Sequence, residues 1–145
     1  MQVENHKEEV PFAHYEAQFQ NLHPESVAQR LKDVKWDGKE FYVNLLGFPV
    51  IREVYREERN DHILTLQLGD SEIELFGMPD PPARVTNPEA CGLRHLAFHV
   101  EDVEAVAAEL NALGVGTEPI RLDTFTGKRM TFFRDPDGLP LEIHE

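Results

Sequence analysis

Two histidines and two glutamates stand at matched places in this chain, and their types could grip one divalent cation. His14 and His95 each lie near the start of a segment with strand-like alternation, while Glu74 and Glu142 each sit on a later one. Glu74 is flanked by Ile73 and Leu75, and Glu142 by Leu141 and Ile143. Both carboxylates therefore project to the face opposite their apolar neighbours. An exposed sheet face explains any one of these residues equally well, because a lone His or Glu on a strand is usually just solvated. Recurrence of the same types at repeat-related positions makes coincidence the weaker account, and His95 shares its face with small Ala97, which leaves room above the sheet. Imidazole nitrogen and carboxylate oxygen suit Zn, Ni, Co, Mn or Fe, and Cys91 alone cannot make a thiolate site. The metal ligands expected are His14, Glu74, His95 and Glu142, with His99 and His144 as neighbours on the same faces.

The elements that must position these residues form two copies of one β, α, β, β, β order. In the second copy, Leu93 to Glu101 alternates as a strand. Asp102 can cap a helix whose apolar positions Val103, Val106, Ala107, Leu110 and Leu113 precede Gly114. An extended segment over 116–122 follows, then a strand over Arg129 to Arg134, an Asp135-Pro136-Asp137-Gly138 turn and a last strand over Leu139 to His144. The first copy has a strand over Phe12 to Gln20 and a helical region from about Glu25 to Leu46 that ends at Gly47. Three strands follow, over Pro49 to Arg56, Ile63 to Leu68 and Glu72 to Phe76.

Spacing tests the repeat. Gly47 to Glu74 is 27 positions and Gly114 to Glu142 is 28, so the halves match from helix end to last strand. His14 to Gly47 is 33 positions against 19 from His95 to Gly114, which puts about 14 extra residues into the first half, between Asn21 and Lys39. Trp36-Asp37-Gly38 within that stretch predicts a broken helix or an added turn. The expected organisation is a first module over 1–78, a proline-rich linker over 79–92 (Pro79, Pro81, Pro82 and Pro88 bar a central strand from it and its approach) and a second module over 93–145.

A chain of 145 residues, 41% hydrophobic and 28% charged, has enough material for a real core. Its 27 acidic and 14 basic residues give a formal net charge of −13, which repels phosphate backbones and anionic lipid and argues against nucleic acid or membrane as partner. One cysteine precludes an intrachain disulfide. The polar stretch Met1 to Glu9 lacks the apolar core of a secretory signal, so the expected location is the cytoplasm.

Arg94-His95-Leu96-Ala97-Phe98, and the run from Thr131 through Asp135-Pro136-Asp137-Gly138 to Glu142, resemble the vicinal oxygen chelate superfamily, nearest its glyoxalase I branch. Phe41-Tyr42-Val43-Asn44-Leu45-Leu46-Gly47-Phe48 and Ile73-Glu74-Leu75-Phe76 extend the similarity over essentially all of 40–145. The resemblance implies an α+β fold of two βαβββ modules whose mixed sheets curl around one shared metal. Glu74, His95 and Glu142 would be ligands, and a fourth would come from the first strand. His14 fits that place and His23 is the reserve, although Glu16, Gln18 and Gln20 depart from the usual apolar strand. The resemblance further implies a homodimer and a small-molecule substrate, the hemithioacetal of methylglyoxal and glutathione. Glu142 would be the proton-carrying base, assisted by Glu74. Ring-cleaving dioxygenases and fosfomycin thiol transferases of the same superfamily lack a carboxylate at the place of Glu74, and bleomycin-type binding proteins lack metal ligands altogether.

Overall fold

The computed structural model describes residues 37–145. His14, His23 and the strand expected over Phe12 to Gln20 lie outside the described residues, as does most of the segment between Asn21 and Lys39.

The chain enters through a short helix, α1 (Asp37–Lys39), that continues as a π-helical turn over Glu40–Leu45. The wider turn is marked by Leu46 N–H donating to Phe41 O at 2.8 Å, and Gly47 leaves it at φ 78°, a left-handed value that a Cβ would disfavour. Asp37 and the buried Gly38 lie within this short helix, while Trp36 and the stretch before it are outside the described residues. Three antiparallel strands follow, β1 (Val50–Arg56), β2 (Asp61–Leu68) and β3 (Ser71–Gly77), in the order β1-β2-β3. The chain then runs from 78 to 95 with only an isolated bridge between Thr86 and Glu89.

The second sheet contains β4 (Leu96–His99), β5 (Arg121–Leu122), β6 (Arg129–Arg134) and β7 (Pro140–His144), ordered β4-β7-β6-β5. Its helix α2 (Val103–Ala112) starts where Asp102 accepts the Ala105 N–H at 3.0 Å, a side-chain cap, and turns out through Gly114 at φ 84°. Because β4 pairs parallel to β7 while β6 pairs antiparallel, the sheet is mixed. The fold is α+β, with helical structure and one sheet from each half among the described residues. Among the described residues no helix is long and apolar enough to cross a membrane.

Period-2 alternation divides each sheet into a core face and an open face. Leu64 and Leu66 of β2, Phe98 of β4 and Leu141 and Ile143 of β7 point inward, each at 5% exposure or less. One core spans both halves, for Phe48 meets Phe98 with ring centroids 5.9 Å apart and Phe41 meets Phe133 at 6.4 Å. The Tyr42 hydroxyl donates to Asp135 Oδ2 at 2.9 Å, tying the first helix to the turn before β7. Burial, then the adjacent Asp135 carboxylate, pushes the Tyr42 phenol far above its ordinary range, so it stays a donor.

Two strands are shorter than the sequence predicts. Leu93 and Arg94 do not join β4 because the Arg84 guanidinium takes both their carbonyls, at 2.5 and 2.9 Å. Before β5, Glu118 alone reaches β6, its N–H donating to Phe132 O at 2.8 Å and its carbonyl accepting from Thr131 Oγ1 at 2.7 Å.

Among the described residues three carboxyls are held below the ordinary carboxylate range. Arg56 donates to Asp61, Arg129 donates to Glu145, and the backbone N–H groups of Thr126 and Phe125 converge on Asp123. A depressed folded value stabilises the protein above the unfolded carboxylate range, near pH 4, and that stabilisation disappears as pH falls through the folded values. Asp137, raised by burial and then by Asp135, works in the opposite sense. The three depressed groups outnumber it. Urea midpoints are therefore expected to fall between pH 5 and pH 3, and Asp61→Asn should remove part of that drop. An unchanged midpoint across this range in the parent chain would contradict the assignment.

Candidate metal centre

Glu142 is positioned from both sides along β7, where Leu141 and Ile143 are wholly buried and leave the residue between them only the open face. The turn that delivers β7 is fixed by Asp135, whose Oδ1 accepts the N–H groups of Asp137 at 3.0 Å and Leu139 at 2.8 Å. Gly138, at φ 84°, supplies the left-handed step. The motif Asp135-Pro136-Asp137-Gly138 is thus the device that sets β7 in register, and it carries no chemistry of its own.

In that register Glu142 pairs with Ala97 of β4 and with Phe132 of β6. His95, the residue before β4, reaches across small Ala97, and its Nε2 lies 3.1 Å from Glu142 Oε2. The histidine side chain is 43% exposed and the carboxylate 14%, so the pair opens to solvent at the imidazole and is sheltered at the acid. The Phe132 and His95 rings meet in a T-shaped contact with centroids 5.5 Å apart, and the Arg121 guanidinium lies over the Phe132 ring at 5.3 Å from its centre. Two residues further along each strand, His99 and His144 are register partners with ring centroids 5.6 Å apart.

Glu74 stands on the other sheet. On β3 it pairs with Thr65, which pairs in turn with Arg52 of β1, so the three share the open face of the first sheet. Arg52 NH2 lies 3.6 Å from Glu74 Oε1, with the two side chains 62% and 50% exposed. Between them Thr65 is buried, and its hydroxyl has no hydrogen-bond partner among the described residues.

The structure therefore brings His95 and Glu142 together and leaves Glu74 apart from them, on an ion pair of its own. Among the described residues no three His, Cys, Asp or Glu side chains converge where one cation could sit. The His95–Glu142 pair nonetheless fits such an ion as two donors. One is a borderline nitrogen and the other a hard oxygen, already within a few ångströms of each other on an open face. Phe132, Arg121, Arg52 and Thr65 escaped the sequence reading. Each becomes part of the site only through cross-strand register, for which no local motif exists.

The chain from residue 31 to residue 143 matches the model of the Glyoxalase/Bleomycin resistance protein/Dioxygenase superfamily. It belongs to that superfamily. The matched stretch includes Glu74, His95 and Glu142, and it begins after His14. YwkD of Bacillus subtilis (strain 168) is 59% identical over 109 residues, which make up 74% of this chain and 85% of that protein. A glyoxalase family protein from Enterococcus faecalis, solved as a crystal structure, is 60% identical with a TM-score of 0.72, covering 75% of this chain and 86% of its own. Lactoylglutathione lyase from Agrobacterium tumefaciens shares the fold at 21% identity, with a TM-score of 0.56 over 75% of this chain and 83% of that one.

Proposed function

We propose that the chain is a metal-dependent lyase or isomerase of the glyoxalase I type. It converts the hemithioacetal of methylglyoxal and a glutathione-like thiol into a 2-hydroxyacyl thioester. The observation that carries this reading is the contact of His95 Nε2 with Glu142 Oε2 at 3.1 Å on the open face of the second sheet. A purely ligand-sequestering relative has no use for such a pair. A carboxylate at position 74 favours the isomerase over the ring-cleaving and thiol-transferring branches.

The residues that would hold the divalent ion, whether Ni, Zn, Co, Mn or Fe, are His95 and Glu142 with Glu74 and His14. When bound, such an ion polarises the substrate carbonyl and stabilises the negative charge that develops as the neighbouring carbon loses its proton. Glu142 Oε2 removes that proton and returns it to the adjacent carbon while the hydroxyl proton passes to the neighbouring oxygen, so that product and substrate are isomers and no outside oxidant enters. His95 keeps the carboxylate turned toward the open face, and Phe132 excludes water from one flank. Glu74 assists from the first sheet. The same reading makes the protein a cytoplasmic homodimer. Val54 and Phe76, apolar and 39% and 50% exposed on the open side of the first sheet, offer surface for a second copy.

The test is direct. Purified protein, stripped with chelator and reloaded with nickel or zinc, is expected to turn over the hemithioacetal while the stripped protein does not. Failure to take up either metal, or turnover of a catechol or of fosfomycin in place of the hemithioacetal, would overturn the proposal.

A further inference from the structure

We propose that Arg121 is a specificity-determining residue, which recognises a carboxylate that the substrate carries far from its reacting carbon, so that the site selects long acidic thiol adducts over neutral ones. The inference rests on the reading of the His95–Glu142 pair as the reacting centre and adds a substrate class to it. Register across the second sheet carries the argument. Arg121 pairs with Met130, Met130 with His144 and His144 with His99, so a guanidinium, a thioether and two imidazoles form one row across the open face. The neighbouring row is Phe132, Glu142 and Ala97. Arg121 leans between the two, its guanidinium 5.3 Å over the Phe132 ring, which itself meets His95 at 5.5 Å. One aromatic ring thus separates a fixed cation from the reacting pair.

In a chain of net charge −13, a cation so placed reverses the prevailing field beside the pair. Its carboxylate partner is Glu118, at 3.1 Å, with the two side chains 50% and 44% exposed. Such an exposed pair is weak, and the contact uses one nitrogen of a guanidinium with five N–H donors, which leaves a fork for a second carboxylate. Asp123, the next acid along the chain, is occupied by the backbone N–H groups of Phe125 and Thr126. Because β5 lies two strands from β7, an anion held at Arg121 stands on the order of 10 Å from Glu142, a distance that an extended chain of about three residues spans. A bare three-carbon aldehyde cannot reach both places.

The experiment is calorimetric titration of the full chain with S-methylglutathione, a stable thioether bearing two carboxylates, and with its diethyl ester, for the parent, R121Q and R121K. Circular dichroism of each confirms that it folds. The parent is expected to bind the acid more tightly than the ester. R121Q should lose about tenfold in affinity for the acid and nothing for the ester, a figure set by a charge-assisted contact that is partly screened. R121K should fall between, since it keeps the charge and loses the planar fork. The inference is overturned if the parent does not prefer the acid, if R121Q binds the acid like the parent, or if R121Q loses as much with the ester, which would make Arg121 a packing partner of Phe132 alone. Hemithioacetal turnover by the parent is measured alongside. Charge-selective binding without turnover sinks the isomerase reading and keeps the role given to Arg121, whereas turnover with binding indifferent to R121Q sinks only that role.

Discussion

Replacing Glu142 by Gln is expected to lower the rate of hemithioacetal isomerisation by about 10²- to 10⁴-fold, the usual contribution of a positioned general base. The amide keeps the size of the side chain and its place between Leu141 and Ile143, so the fold should be unchanged. It loses the ability to take a proton from carbon, and it is a poorer donor to a divalent ion than a carboxylate. Two measurements separate these losses. If nickel affinity falls and saturating metal restores the rate, Glu142 acts as ligand alone. If the rate stays low at saturating metal, it is also the base. A variant with the parent rate at parent metal affinity would show that the proton is carried elsewhere.

The second large effect concerns Leu141, wholly buried at the centre of β7 and paired with Leu96 on one side and Phe133 on the other. Leu141→Ala is expected to destabilise the protein by about 2–5 kcal/mol, the sum of lost transfer energy and the cavity left behind. In thermal unfolding that is a drop of roughly 5–20 °C. The site should feel it as well, because Glu142 holds its direction only while its neighbours are pinned in the core. Metal affinity is therefore expected to weaken in Leu141→Ala even at temperatures where the variant is fully folded. A loss below about 1 kcal/mol in urea titrations would mean that β7 is not the anchor described here.

Much of the architecture was legible because it is written locally. The helix Val103–Ala112 follows from apolar residues at three- and four-residue spacing behind an Asp102 cap, and strand Arg129–Arg134 follows from alternation between turn signals. The exit glycines Gly47 and Gly114 are both left-handed, as the spacing argument requires. Where the reading overran, at Leu93-Arg94 and along 116–120, the cause was a distant partner. Arg84 claims two carbonyls in the first case, and in the second a single pair of hydrogen bonds to β6 takes the place of a full ladder.

By itself the sequence determined which residue types could serve a metal, that His95 shares the face of Ala97 and that Glu142 faces away from Leu141 and Ile143, because alternation along a strand is a covalent fact of the backbone. Only the tertiary structure decided the partners. Parallel pairing of β4 with β7 sets Ala97 beside Glu142 and lets His95 reach it, whereas pairing in the first sheet hands Glu74 to Arg52 across Thr65. Those choices depend on register between strands far apart in the chain, and register is settled by the packing of the shared core.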